Sequence, residues 1–457
     1  MNESLELAKY VVNTRFEDLP DQAVEVQKKA LLDAIGVTLA AGTLGEGCRE
    51  FVELAIETGG NPESTILGFG GKVSAVWAAF ANASMAHSLD FEDVHDRALV
   101  HSNAAAVPAA LAVAEAVGNV SGQELITALT LGSDLVCRMG LALNEDLVKY
   151  GWYIPPVLGA FGATAAVGRL LGLSAEQMLD AFSLTMCQAT CSSELVNSAQ
   201  SQIRSVRDAF AAKAAVMSAL LAKKGIKGFL QPLEGEKGFY AAYAKGNYNP
   251  AQLTGKLGQR FESAAISFKP WPSCRGTHPY IDAVLQLIRE YNIQPDDVEK
   301  IHVVVGPVNK MLCEPVDLKK KPATPINAKF SIPFVVATAL VMRSVTLDHF
   351  TQEALANREV LELAEKVTYE VDTTLTKEQN LHGITQIFTK GGVFTRKVVN
   401  PYGSPENPIS EKDLQAKFLS CSRYSVKTLS EKNVLNLAEL VLNLEKVQDV
   451  KEIMSCL

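Results

Sequence analysis

Three of the seven histidines lie within fifteen residues, between His87 and His101, together with four acidic residues. An imidazole beside a carboxylate can hold and pass a proton near neutral pH, so this segment is predicted to carry general acid–base chemistry. On a helix, His87, Asp90 and Val94 would share one face. Two alternatives stay open: a solvated acidic loop without function, and a metal site, although no HExxH motif or tight ligand spacing supports it.

A second candidate site contains Arg204 and Arg207, which lie three residues apart just before the alanine-rich stretch 209–221. At the start of a helix these two side chains would be neighbours. Guanidinium groups and helix N-termini both bind carboxylates, so the pair is predicted to bind an anion. The alternative is a surface arginine pair that is offset by Asp208.

A third candidate site is the segment 267–279, in which two prolines flank a tryptophan and a cysteine, an arginine and a histidine follow closely. Such a rigid stretch, carrying Lys269 and Arg275, suits a hinge at a site built across two domains. A hinge with incidental polar residues is the alternative. Cys274 and His278 are four residues apart, but no recognised motif around them indicates a cysteine nucleophile.

The elements that must position these groups are mainly helical in the first half of the chain. Alanine-rich apolar stretches predict closely packed helices at 75–89, 104–117, 159–173 and 209–223. From residue 298 onwards, alternating patterns and a Gly-Gly hairpin signal predict strands at 300–306, 366–372 and within 385–399. Further helices are predicted at 281–291, 328–342 and 352–365, and again after the Pro/Gly/Asn-rich segment 400–408.

The predicted fold is therefore mainly α with an α+β second domain. A large all-helical domain is expected from both chain ends, 1–264 and 399–457, with an α+β lid domain inserted at 265–398. A discontinuous domain places a crevice at the junction, and clefts between domains are favoured ligand sites.

Composition narrows the class of protein. Of the 457 residues, 47% are apolar and 21% charged, which is typical of globular chains. The net charge of −8 excludes nucleic-acid binding driven by bulk charge. Eight scattered cysteines without a CxxC motif, and an N-terminus unlike a signal peptide, predict a soluble cytoplasmic protein with no membrane or nucleic-acid partner. The absence of dinucleotide or phosphate-binding glycine motifs favours chemistry by side chains alone.

Taken together, these segments resemble the MmgE/PrpD family, which includes dehydratases, decarboxylases and epimerases of small carboxylic acids. The resemblance runs nearly end to end and rests on six segments in this order: LLDAIGVTLAAG (31–42), AHSLDFED (86–93), LGAFGATAAVGRLLGL (158–173), KPWPSCRGTHPYIDA (269–283), AKFSIPF (328–334) and NPISEKDLQAKF (407–418). It implies a helical domain with an α+β lid, a homodimer, and no metal or organic cofactor. It also implies proton removal or addition at the carbon next to a carboxylate, with loss of water, loss of carbon dioxide, or inversion.

The resemblance also assigns individual residues. Asp90 matches the family's catalytic aspartate, His101 the histidine that follows it, and Lys269 the lysine that opens the hinge motif. Arg204 stands where decarboxylase members have an active-site lysine. Cys274 stands where they have a histidine.

Ser273 stands where the decarboxylase has a small residue. Tyr153 departs from the family pattern, because it replaces the histidine of a Gly-aromatic-His-Pro-Thr motif. Because arginine does not give up a proton usefully, Arg204 can bind an anion but is a poor acid or base. Tyr153 is either a general acid with an activated hydroxyl or a packing residue in a subfamily with different chemistry.

The sequence thus predicts a cofactor-independent lyase, similar to 2-methylcitrate dehydratase, that abstracts a proton alpha to a carboxylate of a small di- or tricarboxylic acid. Its predicted catalytic residues are Asp90, His101, Tyr153 and Lys269. Its predicted substrate-binding residues are Arg204, Arg207, Ser273, Cys274 and Arg275, and no metal ligand is predicted. The alternatives are an epimerase, isomerase or decarboxylase of a related dicarboxylate, and a non-catalytic protein that binds organic acids.

Overall fold

The chain folds into two units in a computed structural model, which describes residues 2–198, 201–376 and 379–457. The first unit contains the chain up to Ile266 and returns at Glu411–Leu457, and the second is Ser267–Ser410. The first unit is helical apart from a two-stranded sheet, and the second combines helices with a four-stranded sheet. The predicted fold class, mainly α with an α+β second part, is confirmed.

Helices of the first unit are numbered in chain order. They are α1 (Glu3–Asn13), α2 (Asp21–Leu44), α3 (Cys48–Thr58), α4 (Ala75–Ala86), α5 (Ala106–Val117), α6 (Gly122–Leu141), α7 (Ile154–Leu170), α8 (Ala175–Met186), α9 (Ile203–Val206), α10 (Asp208–Lys223), α11 (Phe239–Ala244), α12 (Pro250–Thr254), α18 (Glu411–Ser422), α19 (Glu431–Leu442) and α20 (Lys451–Met454). The strands β1 (Ser64–Thr65) and β2 (Lys72–Val73) pair antiparallel.

Small residues allow the central helices to pack closely. Gly132 of α6 faces Gly162 of α7, and a Cβ atom built on either glycine would lie within 2.7 Å of the other's carbonyl oxygen. The alanine-rich stretches predicted as helices are α4, α5, α7 and α10 in the structure. Helix α7 begins five residues before its predicted start, because Pro155 and Pro156 occupy its first turn, where a missing N–H costs nothing.

Local capping signals set several helix starts. Ser121 begins α6 and Ser174 begins α8, each in a capping box with the residue three positions later. Each side-chain oxygen accepts a hydrogen bond from a backbone N–H of the first turn, which would otherwise lack a partner. These starts are therefore encoded within four residues of sequence.

The second unit contains the predicted strands. Its helices are α13 (His278–Tyr291), α14 (Val316–Lys320), α15 (Pro325–Lys329), α16 (Ile332–Met342) and α17 (Arg358–Glu365). Its strands are β3 (Val298–Val305), β4 (Val367–Val371), β5 (Gly383–Thr389) and β6 (Gly392–Val398), in the sheet order β4-β3-β5-β6. Strand β3 is parallel to β4 and antiparallel to β5, and β5 and β6 form the predicted hairpin.

Alternation along β3 places its apolar side chains on one face. Ile301, Val303 and Val305 are buried and belong to the core that α13 and α16 also line, while His302 and Val304 are only partly covered. The predicted single helix at 328–342 is instead two helices, because Ser331 caps α16 and Pro333 occupies its first turn. The described residues of this core all belong to the second unit.

Among the described residues, no single helix has the length and apolarity needed to cross a membrane. Helices α2 and α3 meet those criteria only together, across a bend of 97°. All eight cysteines are free thiols.

Candidate active site

The histidine-rich segment is a loop between α4 and α5, not a helix. Helix α4 ends at Ala86, and Asp90 has a φ of +50°, a left-handed conformation that a short polar side chain tolerates. The expected helical face shared by His87, Asp90 and Val94 is therefore wrong. The loop also contains an isolated β-bridge between His95 and Val100, which folds the chain back on itself.

The polar residues of this loop are buried. His87, Asp90, Glu92, Asp93 and His95 are each at most 2% exposed. Uncompensated burial of so many ionisable groups would cost several kcal/mol each, so they must satisfy one another or a ligand. The alternative of a solvated acidic loop is therefore wrong.

Glu92 lies between two imidazoles. Its Oε1 atom contacts Nδ1 of His87 in a short hydrogen bond and lies 2.8 Å from Nδ1 of His101. The two rings pack edge to face with centroids 4.5 Å apart. Nδ1 of His101 also lies 3.2 Å from the backbone carbonyl oxygen of Asp93. One carboxylate thus connects both histidines.

Asp90 completes this cluster. Its Oδ1 lies 3.9 Å from Nε2 of His87, and one donor atom each from His87, Asp90, Glu92 and His101 falls within 4.8 Å of all the others. Two imidazoles and two carboxylates are also groups that a divalent cation could use. The expectation that the protein needs no metal or other cofactor therefore stays a prediction.

The side chain of Asp93 anchors the loop to the residues that follow it. Its Oδ2 accepts hydrogen bonds from Ser102 Oγ at 2.7 Å and from Asn103 Nδ2 at 3.1 Å. Asn103 is held in turn by Gln27 of α2, whose Nε2 donates to Asn103 Oδ1 at 3.0 Å. Burial raises the pKa of the Asp93 carboxyl above its usual range.

A buried lysine holds the same loop from the other side. Lys417 of α18 donates to the backbone carbonyl oxygen of Phe91 at 2.6 Å, and its Nζ lies 2.6 Å from Oδ1 of Asp33 in α2. Burial raises the pKa of Asp33 to about 6, although the Lys417 ammonium opposes the shift. The loop is therefore positioned by residues far away in sequence.

Arg207 brings positive charge to this region. It is 2% exposed, directly precedes α10, and donates through one terminal nitrogen to the backbone carbonyl oxygen of Arg204. Its guanidinium carbon lies 4.9 Å from the centroid of the Tyr153 ring, a cation–π contact. Burial lowers the pKa of His87 below its ordinary value, and the positive charge of Arg207 is the second-largest cause of this shift. Both effects favour the neutral form of His87, and the Glu92 carboxylate opposes them.

Arg204 and Tyr153 occupy less buried positions. Arg204 lies in the single turn α9 and is half-buried, whereas Arg207 is buried. The two arginines are neighbours, as predicted, because Arg207 donates to the carbonyl oxygen of Arg204. Tyr153 is half-buried at the start of α7, where its backbone N–H donates to the Cys191 carbonyl oxygen at 2.9 Å. Nε and Nη2 of Arg207 have no hydrogen-bond partner among the described residues.

The remaining predicted site residues lie in the second unit. Lys269 is fully buried, and Ser273 Oγ lies 2.8 Å from Oγ1 of Thr277. Cys274 is half-buried, and its backbone N–H donates to the Lys329 carbonyl oxygen. The guanidinium of Arg275 donates to two groups of the same unit, Ser404 Oγ at 2.9 Å and the Tyr402 carbonyl oxygen at 3.2 Å. Their roles in binding or catalysis stay predictions.

His87 and Glu92 are the site residues that sequence reasoning did not single out. Both belong to the histidine-rich segment, and both are present in the AHSLDFED block. The density of ionisable residues there was the available signal. Which carboxylate meets which imidazole depends on the path of the loop, which local sequence does not specify.

Two family models match the chain. The MmgE/PrpD N-terminal domain matches residues 5–251, and the MmgE/PrpD C-terminal domain matches residues 271–445. The chain belongs to the MmgE/PrpD family. The family predicted from the six sequence segments is thereby confirmed.

Characterised relatives of this MmgE/PrpD chain cover most of its length. A cis-aconitate decarboxylase of Aspergillus terreus is 25% identical, over 99% of this chain and 95% of the relative. The cis-aconitate decarboxylase-like protein oryM of Aspergillus oryzae is 27% identical, over 99% and 97%. Human cis-aconitate decarboxylase is 28% identical, over 94% and 89%. These relatives support a lyase-type enzyme.

Proposed function

We propose that this protein is a lyase that acts on a small di- or tricarboxylic acid by removing a proton from the carbon next to a carboxylate. The observation that supports this most strongly is the cluster in which donor atoms of Asp90, Glu92, His87 and His101 lie within 4.8 Å of one another. The first three side chains are buried, and His101 is partly exposed. Buried acid–base groups of this kind are typical of sites that move protons at carbon.

In the proposed reaction, His101 is the base. Its Nε2 takes the proton as the C–H bond breaks, and the carboxylate of the substrate becomes an enediolate. The positive charges of Arg207 and Arg204 stabilise the developing negative charge, since preorganised charge is usually the largest contribution to catalysis. Lys269 stays a predicted contributor of positive charge from the second unit.

Elimination of water is the first candidate for the bond that breaks next. The electron pair of the enediolate forms a carbon–carbon double bond, the C–O bond at the neighbouring carbon breaks, and a proton from Asp90 or Tyr153 converts the departing hydroxide to water. The reaction is a dehydration, like that of 2-methylcitrate dehydratase. Asp90 is proposed because it matches the family's catalytic aspartate, and Tyr153 because it stands where the family has a histidine.

Decarboxylation is the second candidate, because the curated relatives named above are cis-aconitate decarboxylases or a decarboxylase-like protein. In that reaction the C–C bond to a carboxylate breaks, carbon dioxide leaves, and the resulting carbanion takes a proton from the same acid. Reprotonation on the opposite face without bond cleavage would be epimerisation. A protein that only binds organic acids would do none of these.

The test is a proton NMR screen in deuterium oxide with citrate, 2-methylcitrate, cis-aconitate, malate, tartrate and iminodisuccinate. We expect wild-type protein to produce a vinyl signal or loss of a C–H signal with at least one of these acids. His101→Ala should lower that rate by roughly 10²- to 10⁴-fold, the usual contribution of an acid–base group. His302→Ala, in β3 of the second unit, is the matched control and should leave the rate unchanged.

Three outcomes would contradict parts of the proposal. Full activity in His101→Ala would exclude His101 as the base. Loss of wild-type activity after removal of divalent cations with a chelator would show that the cluster works through a metal. Saturable binding of one of the acids without any exchange or turnover would identify a binding protein instead of an enzyme.

A further inference from the structure

We propose that Glu92 is a positioning residue that holds both His87 and His101 in the tautomer with hydrogen on Nδ1. Each ring then presents an unprotonated Nε2, and that of His101 is the basic atom which the reaction needs. This inference rests on the proposed role of His101 as the base. It assigns a task to the two buried ionisable groups, Glu92 and His87, that the proposed reaction otherwise leaves unused.

The contacts of His101 determine its tautomer. Nδ1 lies 2.8 Å from Glu92 Oε1 and 3.2 Å from the backbone carbonyl oxygen of Asp93. A carbonyl oxygen can only accept a hydrogen bond, and an ionised carboxylate can only accept as well. Nδ1 therefore carries the hydrogen, and in the neutral ring Nε2 carries the lone pair.

His87 is oriented by the same oxygen. Its Nδ1 meets Glu92 Oε1 in a short contact, and its Nε2 faces Asp90 at 3.9 Å. The carboxylate oxygen of Glu92 can only accept, so the ring hydrogen of His87 lies on Nδ1, towards Glu92. Burial and the charge of Arg207, which lower the pKa of His87, favour a single ring hydrogen. One carboxylate oxygen thus accepts from two rings that pack edge to face.

Glu92 is itself held rigidly through its neighbours in the chain. Lys417 donates to the carbonyl oxygen of Phe91, immediately before it, and Ser102 and Asn103 donate to the side chain of Asp93, immediately after it. Both flanking residues are buried. An orienting carboxylate is effective only when its own position is well determined, and these anchors supply that condition.

The expected consequence for the reaction is electrostatic as well as geometric. When His101 takes a proton at Nε2, the ring becomes an imidazolium whose Nδ1–H still points at the Glu92 carboxylate. The negative charge of Glu92 stabilises this state, as the aspartate of a serine-protease triad stabilises its histidine. Glu92 acts through His101, so its removal should affect the proton-transfer step more than substrate binding.

The first test measures the tautomers directly and needs no substrate. Protein with 15N-labelled histidine is observed by NMR, and His87→Asn and His101→Asn variants assign the two rings. We expect both rings in the wild type to show the Nδ1–H form, and Glu92→Gln to give a substantial population of the Nε2–H form. A wild-type His101 with hydrogen on Nε2, or an unchanged spectrum in Glu92→Gln, would overturn the proposal.

The second test is kinetic, on the substrate that the NMR screen identifies. Glu92→Gln should lower kcat by at least about 10²-fold, with KM changed by less than about threefold, because the wrong tautomer disables the base without removing a substrate contact. Glu92→Asp keeps the charge and should recover part of kcat. An effect confined to KM, or no recovery in Glu92→Asp when that variant is folded, would contradict a positioning role.

Glu262→Gln is the matched control. Glu262 is also buried in the first unit and faces a histidine, with its Oε2 lying 3.7 Å from Nε2 of His95. This variant should leave the tautomers of His87 and His101 unchanged. The two proposals fail separately. The expected tautomers together with full activity in His101→Ala would refute only the role of His101 as the base. Loss of activity in His101→Ala together with hydrogen on Nε2 of His101 in the wild type would refute only the role of Glu92.

Discussion

At the scale of single residues, the histidine-rich loop depends on buried charges that come from distant parts of the chain. Asp33 and Lys417 form an ion pair beneath the loop, and Lys417 also lies over the ring of Phe91, 3.8 Å from its centroid. Removing one partner of such a pair leaves an uncompensated buried charge, which is more costly than the pair itself. Loss of either partner is therefore expected to disturb the loop.

The raised pKa of Asp33 predicts a pH dependence of stability. Because that pKa is about 6 in the folded protein, against 3.8 for an unperturbed aspartate, the folded state holds this proton more tightly than the unfolded state. The stability that Asp33 contributes is thus fully present below about pH 4 and is lost as pH rises through 6. Asp33→Asn cannot titrate, so it should lack this loss.

Urea denaturation of wild type and Asp33→Asn from pH 4 to pH 7 measures the effect. As pH rises, the free energy of unfolding of the wild type should fall relative to that of Asp33→Asn. This relative loss should level off above pH 6. Titrating groups that do not interact with Asp33, such as Asp134, are common to both proteins and cancel in that difference. A difference that does not vary with pH would contradict the expected pKa of Asp33.

At the scale of elements, the helical unit depends on how closely α6 and α7 approach each other. At Gly162 an added Cβ atom would lie 2.7 Å from the carbonyl oxygen of Gly132, which is backbone and cannot rotate away. At Gly159, one turn earlier in α7, the nearest atom to an added Cβ is the Cβ of Ala105 at 3.6 Å, an ordinary contact. Replacement of glycine by alanine should therefore destabilise the protein at position 162 but not at position 159.

Gly162→Ala should lower the free energy of unfolding by about 1–3 kcal/mol, because the two helices must move apart. Gly159→Ala should be neutral or stabilising by up to about 1 kcal/mol, since alanine favours the helix. Chemical denaturation of both variants beside the wild type compares them directly. Equal effects in the two variants would mean that close packing of α6 on α7 does not control stability here.

At the scale of the whole molecule, the family resemblance predicts a homodimer. The chain has a mass of 49.3 kDa. Sedimentation equilibrium at several micromolar concentrations should give a mass of about twice that value. A monomer mass that holds up to high concentration would contradict this prediction, and it would do so without affecting the proposed chemistry, whose cluster of Asp90, Glu92, His87 and His101 comes from one chain.

Local sequence patterns determined the secondary structure and the family of this protein. Alanine-rich periodicity, capping serines such as Ser121 and Ser174, and the alternation in β3 each act within a few residues, so they can be recognised without a structure. The density of ionisable residues between His87 and His101 likewise indicated the segment in which we propose that the chemistry lies. Asp90 and His101, taken from the resemblance, do lie in one cluster.

Only the tertiary structure decided how the cluster is arranged. The segment is a loop instead of a helix, and its polar groups are held by side chains instead of a regular backbone ladder. Ser102 and Asn103, just after it, donate to Asp93, and the distant Lys417 donates to the carbonyl oxygen of Phe91. The distant Gln27 holds Asn103 in turn. The burial of Arg207 and the meeting of Glu92 with two imidazoles follow from the same packing. Such contacts depend on the free energy of the whole helical unit, which no short stretch of sequence encodes.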